Sequence, residues 1–528
     1  MQHSTNIRLK AGKSPMILFL SALTLLSIVI ACWKIDQPGL YYDEMLFGNA
    51  AVGGKTDNFV MLRIGNIPFL LMNYIGALKA WIYYPIFSIF PVNYWSVRLP
   101  SILLGTMGGL FLVAALYRGF GRSAAIAGAV MILLDPTMIT HSRLDWGPNA
   151  LMFFFRGLLI FALVMWIRTK EPKWAWLAFG AGVLGIFDKL NFIWMVLSAI
   201  AALTLLYRKE CLEFARNYKK QALLLSILTI SGLIFSVIRG IRLSEHQEID
   251  WPHRISQAFD LLRLTFSGGG ALNFISGNGL RLERWFWPGY ILAALIGLTG
   301  YRSLFRQAQE KCLYLWMLLL FGMVTVAFIL TKSATGPHHS SMVSGIWQLA
   351  LAPLSGAAWD DRSSGWHRLR RWGVPASLIA ISAGCIISCF ICIRAFASPI
   401  NNNWDPANTA AALFARQHPE GVFISCDWGI GTLIIALTKD KPVINDAWPA
   451  FTSSGDAGNL IKHLPEGKDV YFYTRLPGFE NFKGNHDRLI QALAGNGLDY
   501  EVIRTYKNLE GQPMIEIGCA KAHKTSFQ

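Results

Sequence analysis

Two adjacent carboxylates near the N-terminus are the first residues whose type and spacing could do chemistry. Asp43 and Glu44 lie in the stretch Gly39-Leu-Tyr-Tyr-Asp-Glu-Met-Leu-Phe-Gly48, just beyond the first long apolar segment. A carboxylate among aromatic side chains can take a proton from a hydroxyl group, which is general-base chemistry. An acidic pair is also a common way to begin a helix, here one over residues 44–52. The residues by themselves support both interpretations equally.

Further polar residues follow other apolar segments in the same way. Arg143 and Asp145 share one such loop. The planar guanidinium of Arg143 suits a phosphate, because it can hold two oxygens at once. The alternative is an interfacial anchor whose charged end reaches the lipid headgroups. Lys189, His338 and His339 complete the set of candidate substrate-binding residues.

The adjacent histidines His338 and His339 invite a zinc prediction. Neighbouring side chains point apart, however, so the pair cannot chelate one ion without distant ligands. We therefore predict no metal and no other cofactor, with a divalent metal as the less favoured alternative. The histidines are predicted to contact the substrate, either through single hydrogen bonds or at its phosphate.

The elements that must position these residues are membrane helices. Of the 528 residues, 53% are hydrophobic and 15% are charged, whereas roughly 25% are charged in an ordinary globular protein. Several apolar stretches reach the ~20 residues that cross a bilayer. The net charge is +16, but Lys and Arg fall in short clusters between these stretches, as the positive-inside rule describes. The pattern excludes nucleic acid as a partner and predicts a polytopic α-helical protein surrounded by membrane lipids.

We predict about eleven transmembrane helices in the cell (inner) membrane, with the N-terminus in the cytoplasm. They lie at residues 14–32, 99–117, 122–140, 149–167, 174–187, 191–207, 221–239, 285–301, 312–331, 341–358 and 373–395. The stretch 66–90 could span the membrane or lie at its surface. If it does not span, every dense Lys/Arg cluster falls on the cytoplasmic side. We therefore predict a helix over 66–90 that lies in or against the outer interface.

The composition changes after about residue 396, where charged and turn residues return. Strands are predicted at 421–426, 442–445, 470–473 and 514–517, alternating with helices near 407–417, 429–437 and 484–495. This alternation predicts a small α/β domain. The predicted domains are a transmembrane catalytic domain over 1–398, with an outer loop at 33–98 that contains interfacial helices, and an extracytoplasmic α/β domain over 399–528.

This topology brings carboxylates and cations from four separate loops to one membrane face. Such a group suits a substrate whose sugar is carried on a polyprenyl phosphate. The carboxylate would take a proton from an acceptor hydroxyl as that oxygen attacks the anomeric carbon, and the cations would neutralise the departing phosphate. The rival interpretation is a secondary transporter or lipid flippase. Transporters place binding residues near the bilayer midplane on repeated elements, and the sequence shows no repeat.

Several segments resemble the GT-C superfamily of membrane glycosyltransferases. They are the first span followed by Tyr42-Asp43-Glu44, the segment 73–85, the motif Ser96-Val-Arg-Leu-Pro100 and the motif Ser142-Arg-Leu-Asp-Trp-Gly-Pro148. The most similar groups are the protein O-mannosyltransferases and the bacterial lipid A aminoarabinose transferase-like proteins. The resemblance covers residues 10–210 best.

The resemblance implies a GT-C-like fold and a donor sugar on undecaprenyl- or dolichyl-phosphate. It leaves the acceptor as a protein, lipid A or an envelope glycan. It also implies that Asp43 is the general base and that Glu44 positions the acceptor beside it. The first outer loop contains no Asp-x-Asp sequence, which favours the metal-free version of the reaction.

Overall fold

Helices dominate the structure, which is a computed structural model. It describes residues 13–53, 60–244, 250–277, 281–304, 308–331, 334–361, 366–453, 455–465 and 467–522. The first helix and the outer loop comprise α1 (Lys13–Cys32), α2 (Tyr42–Val52), β1 (Leu62–Ile64), β2 (Ile67–Met72), β3 (Ile75–Gly76) and α3 (Leu78–Ile89).

A long helical region follows the outer loop. Its helices are α4 (Tyr94–Phe120), α5 (Arg122–Leu133), α6 (Pro136–Arg143), α7 (Asn149–Thr169), α8 (Pro172–Asp188), α9 (Ile193–Leu206), α10 (Arg208–Asn217), α11 (Lys219–Ser244), α12 (Trp251–Ser267), α13 (Gly269–Ser276), α14 (Glu283–Thr299), α15 (Tyr301–Leu304), α16 (Ala308–Leu330), α17 (Pro337–Ser340), α18 (Gln348–Asp360) and α19 (His367–Ala395).

Each of the eleven predicted spans contains a helix, but fewer helices meet a strict test of length and apolarity. Within the described residues, five helices are long and apolar enough to cross a membrane, namely α1, α4, α7, α16 and α19. Up to seven spans result if the bent pairs α5–α6 and Leu190–Leu206 with α10 each count as one. The chain is thus a multi-pass membrane protein, and the number eleven stays a prediction.

The helix predicted at 122–140 is divided into α5 and α6, which meet at a bend of 48°. Two other predicted helices also differ from the structure. The segment 341–358 is helical only from Gln348, after a short 3-10 turn at Ser341–Val343. Gly345 has a φ of +81°, a left-handed conformation that ends helical continuity. The stretch 66–90 is not one helix, because it begins with β2 and β3 and becomes helical only at Leu78.

The physical reason for the difference at 66–90 lies in turn residues. β1 and β2 pair antiparallel around Gly65 and Asn66, and Gly65 has a φ of +61°. Gly and Asn favour such a hairpin turn. Pro68 lacks the N–H that a helix interior would need. The aromatic residues of this stretch are typical of a membrane interface, but they do not fix its secondary structure.

The C-terminal part contains a five-stranded sheet. Its elements are α20 (Pro406–Phe414), β4 (Val422–Ser425), α21 (Ile430–Thr438), β5 (Val443–Asn445), α22 (Ala457–Lys462), β6 (Val470–Arg475), α23 (Asn485–Gly495), β7 (Leu498–Lys507) and β8 (Pro513–Ala522). The strand order is β5-β4-β6-β8-β7, and β5, β4 and β6 are parallel. The four predicted strands coincide with β4, β5, β6 and β8, whereas β7 was not predicted.

Two large apolar cores lie in the molecule. One is built from the long helices, with α4 packing on α7 and α5 packing on α18. The other joins the outer loop to the C-terminal sheet, since buried residues of α2, α3, α20 and α21 share it. The outer loop therefore rests on the C-terminal part of the chain, and this contact positions the carboxylates described next.

Candidate active site

Asp43 and Glu44 lie in the first turn of α2, which begins directly after Tyr41. The carboxylate of Glu44 accepts a hydrogen bond from the backbone N–H of Tyr41 at 3.1 Å. This contact closes the open end of the helix. The helix-start interpretation thus holds for Glu44, and the two adjacent acids have different surroundings.

Glu44 is held by a buried arginine. The Arg98 guanidinium lies 2.9 Å from a Glu44 carboxylate oxygen, and both side chains are fully buried. Arg98 also donates to the backbone carbonyls of Ile35, Pro38 and Gly39. A paired and fully hydrogen-bonded charge of this kind fixes a loop. Glu44 therefore has the contacts of a residue that shapes the outer loop.

Asp43 has a different set of contacts. Its side chain is only partly buried, and it accepts one hydrogen bond, from the Trp146 indole N–H at 3.2 Å. Burial raises the pKa of Asp43, while the charge of Lys189, the Trp146 hydrogen bond and the charge of Lys79 act in the opposite direction. A carboxylate with a raised pKa and unused acceptor capacity is suited to general-base catalysis.

Trp146, which donates to Asp43, itself contacts two histidines: it stacks on His141 and packs at a tilt against His338. The ring centroid of His141 lies 5.6 Å from that of Trp146, and the centroid of His338 lies 5.2 Å from it. The imidazole Nδ1 of His338 and Nε2 of His141 are buried with no hydrogen-bond partner among the described residues. Burial lowers the pKa of His338. These histidines therefore offer neutral polar atoms beside the carboxylate.

Lys189 supplies a positive charge to this group. Its side chain is buried at the C-terminal end of α8, and its backbone forms a bridge with Ile75. Burial lowers the pKa of Lys189 to about 8, although Asp43 and Asp188 favour the charged form. The ammonium group forms no hydrogen bond or ion pair within the described part of the chain. It is thus available to bind an anion.

The structure places Arg143 and Asp145 in other contacts. Arg143 donates to the carbonyls of Ala31 and Gln37, each at 2.7 Å, so it caps the end of α1 and the turn after it. Asp145 lies 2.7 Å from the ammonium of Lys79. Both side chains are buried. The two terminal nitrogens of Arg143 and the carboxylate of Asp145 thus already contact protein groups, which the sequence did not reveal, whereas Arg143 Nε has no hydrogen-bond partner among the described residues.

His339 lies beside His338, with ring centroids 4.0 Å apart, so the expectation that these two side chains point apart is wrong. Its Nδ1 accepts a hydrogen bond from the backbone N–H of Gly336 at 3.3 Å. Across the described ranges of the chain, no group of three or more His, Cys, Asp and Glu side chains is arranged to hold a metal ion. The expected metal independence stays a prediction.

Sequence reasoning missed the aromatic residues that the C-terminal part contributes to the surroundings of Asp43. Tyr41 stacks on Trp404 with centroids 4.3 Å apart, and Tyr42 packs on Trp428 at the same distance. Arg475 donates to the carbonyl of Trp428 at 3.1 Å and so holds this tryptophan in place. No local signal could pair residues this far apart in the chain. By contrast, Lys79 was visible as a lone charge in an apolar stretch.

Comparison with known proteins indicates a family resemblance and the fold. Residues 76–235 match the family of dolichyl-phosphate-mannose-protein mannosyltransferases. The matched residues make up less than half of the chain. No curated protein matches the sequence at a significant level. The structure of ArnT from Cupriavidus metallidurans in the apo state is similar, with 14% identity, a TM-score of 0.61 and coverage of 96% of this chain and 98% of that one.

Two further solved structures are more distant. The Archaeoglobus fulgidus oligosaccharyltransferase has 13% identity and a TM-score of 0.49, covering 88% of this chain and 69% of that one. The arabinofuranosyltransferase AftD from Mycobacteria has 15% identity and a TM-score of 0.48, covering 96% and 40%. The match to ArnT shows the fold, and with the family match it confirms the resemblance to GT-C membrane glycosyltransferases.

Proposed function

We propose that this protein transfers a sugar from a polyprenyl-phosphate carrier to an acceptor outside the cytoplasm. One observation supports this most directly. Among the described residues, Asp43 is a partly accessible carboxylate that accepts a side-chain hydrogen bond only from Trp146, and the buried ammonium group of Lys189, whose charge acts on Asp43, has no hydrogen-bond or ion-pair partner. A base and an anion-binding group in one place are what the transfer needs.

The chemical step follows from these two groups. An acceptor hydroxyl gives its proton to Asp43 while its oxygen forms a bond to the anomeric carbon of the sugar. The bond between that carbon and the phosphate oxygen breaks, and the polyprenyl phosphate leaves with the electron pair. Lys189 stabilises the negative charge on the leaving phosphate. A single displacement of this kind inverts the anomeric centre.

The finer parts of the proposal concern the partners and the topology. The donor is an undecaprenyl- or dolichyl-phosphate sugar, and the acceptor is a protein, lipid A or an envelope glycan. We place the protein in the cell (inner) membrane with about eleven spans, the N-terminus in the cytoplasm, and residues 399–528 outside as an α/β domain. Glu44 fixes the outer loop through Arg98, so that Asp43 alone acts as base.

The test uses the purified full-length protein in lipid vesicles. Radiolabelled polyprenyl-phosphate sugars and a crude envelope acceptor are offered to the wild type, to Asp43→Asn and to Asp36→Asn. Asp36 is an exposed carboxylate of the same outer loop and serves as the matched control. We expect transfer by the wild type and by the control. The transfer rate of Asp43→Asn should be reduced by about 10²-fold or more. Absence of transfer with every donor, together with counterflow of a small solute, would support the transporter instead.

A further inference from the structure

The tip of the β1–β2 hairpin exposes aliphatic side chains. Met61, Ile64 and Ile67 are 61%, 60% and 59% exposed. Ile64 lies directly opposite Ile67 in the strand pairing, so the two side chains lie on the same face. Apolar surface of this extent is unfavourable in water. It suits an apolar surrounding that the isolated chain does not supply.

The base of the hairpin is attached to the candidate active site. Phe69 of β2 packs against Phe187 at the end of α8, with ring centroids 5.0 Å apart. The following strand β3 contributes Ile75, which bridges to Lys189, and the N–H of Leu190 donates to the carbonyl of Tyr74 at 2.9 Å. The hairpin is therefore fixed to the segment that contains Lys189.

The surface of the membrane helices continues into this hairpin. Val183 and Leu184 of α8 are 46% and 41% exposed, as expected of side chains that face lipid. An apolar cavity of about 410 Å³ lies among α7, α8, α9 and α11 and reaches Phe187. Apolar surface thus runs from the lipid-facing side of α8, past Phe69, to the tip at Ile64.

We propose that the hairpin tip inserts into the outer leaflet and holds the polyprenyl chain of the donor beside Lys189. The inference rests on the proposed function, which supplies a donor with a long isoprenoid chain and a phosphate. The phosphate binds Lys189, and the chain leaves the site along Phe69 and the exposed aliphatic face of the hairpin. The hairpin then selects donors by the length of their lipid.

The first experiment compares donors of different chain length. The double variant Ile64→Gln/Ile67→Gln keeps the turn residues but removes the aliphatic pair. The control is Val443→Gln, since Val443 is 52% exposed on a short strand of the C-terminal sheet. For the double variant, we expect KM for a full-length polyprenyl-phosphate sugar to rise about tenfold, the scale of losing part of two aliphatic contacts. Its kcat, and its KM for a short water-soluble isoprenyl donor, should not change.

Equal changes with both donors, or no change with either, would overturn the proposal. A second measurement does not need activity. A fluorophore is attached at Ile64→Cys in a variant whose eight native cysteines are replaced by alanine, in vesicles that contain brominated lipids, with Val443→Cys on the same background and the cysteine-free protein as controls. We expect quenching only at Ile64→Cys. Absence of quenching there refutes insertion whether or not sugar is transferred, whereas quenching without transfer by any donor refutes only the proposed function.

Discussion

Asp43 and Glu44 are neighbours in the sequence, yet they belong to two different electrostatic regions. Glu44 forms a closed pair with Arg98, in which both side chains are fully buried and hydrogen-bonded. Asp43 and Lys189 influence each other's pKa but form no ion pair. Successive residues of a helix point about 100° apart, which is why one acid faces the loop and the other faces the site.

The difference shows how to separate structural charges from chemical ones. A buried charge whose partners are all supplied by the chain stabilises one conformation. A charge that keeps unused hydrogen-bonding capacity beside another such group is a candidate for substrate contact. By this criterion Arg143 and Asp145 join Glu44 in the closed region, and His338 joins Asp43 and Lys189 in the open one.

Breaking the ion pair between Glu44 and Arg98 should have the largest effect, and this effect should be a lower free energy of unfolding. Glu44→Gln leaves the Arg98 charge buried without its partner, so we expect a loss of about 3–5 kcal/mol in the free energy of unfolding. Thermal unfolding in detergent measures the change. The exposed acid substitution Asp36→Asn should leave the unfolding temperature unaltered. If the free energy of unfolding decreases by less than about 1 kcal/mol, the value of a surface ion pair, the pair does not stabilise the fold as a buried pair would.

Removing the cation of the open region should act on catalysis instead. Lys189→Met eliminates the group that we expect to bind the donor phosphate, and kcat/KM for the donor should fall by about 10–100-fold, as for loss of a charged hydrogen bond. Lys189→Arg keeps the charge and should retain most of the activity. If Lys189→Met transfers sugar normally but unfolds at a lower temperature, the lysine is structural.

The pH dependence sharpens the same comparison. Lys189 has a pKa of about 8, so its charge is present below that pH and is lost above it. We expect kcat/KM for the donor to decline above about pH 8, by up to tenfold per pH unit. At the acid end, Asp43 must be ionised to act as base, and its raised pKa moves the acid limb above that of an ordinary aspartate.

The variant Lys189→Arg distinguishes the acid limb of the pH profile from its basic limb. Arginine stays charged throughout the accessible range, so the basic limb should disappear in kcat/KM while the acid limb remains. A basic limb that persists unchanged in this variant would assign it to another group.

The smallest expected effect concerns the aromatic contact from the C-terminal part. Trp428 packs on Tyr42, next to the base, and an aromatic pair contributes about 0.5–1.5 kcal/mol beyond its buried area. Trp428→Ala should therefore slow transfer by roughly tenfold. Trp448 stacks on Phe482 within the C-terminal part, and Trp448→Ala is the control. Equal losses in both variants would indicate a general effect on the C-terminal fold.

The sequence predicted those structural elements that depend on interactions between residues close together in the chain. Apolar stretches located the long helices, and the family resemblance pointed to Asp43 in the loop after the first of them, whose role as base stays a prediction. The β1–β2 hairpin was missed because its aromatic content was given more weight than the turn residues Gly65 and Asn66. The contacts of Tyr42 with Trp428 join segments far apart in the chain, and no local pattern encodes them.

The roles assigned to Arg143 and Glu44 show a second limit. Residue type indicates what a side chain can bind, and Arg143 could bind a phosphate. Whether its donors are already used depends on the tertiary structure, and here they are used by carbonyls at the end of α1. The same applies to the C-terminal part, whose apolar core is shared with the outer loop. Its independent folding stays a prediction.

The central claim is that Asp43 is the carboxylate of the outer loop that acts on the substrate. Single-turnover transfer of a radiolabelled donor, measured per folded molecule, tests it with Asp43→Asn beside Asp145→Asn. We expect Asp43→Asn to unfold at the wild-type temperature and to transfer about 10²-fold more slowly or worse. We expect Asp145→Asn to unfold at a lower temperature while its folded molecules transfer within about tenfold of the wild type, because its partner Lys79 is structural. Transfer by Asp43→Asn at the wild-type rate would contradict the account.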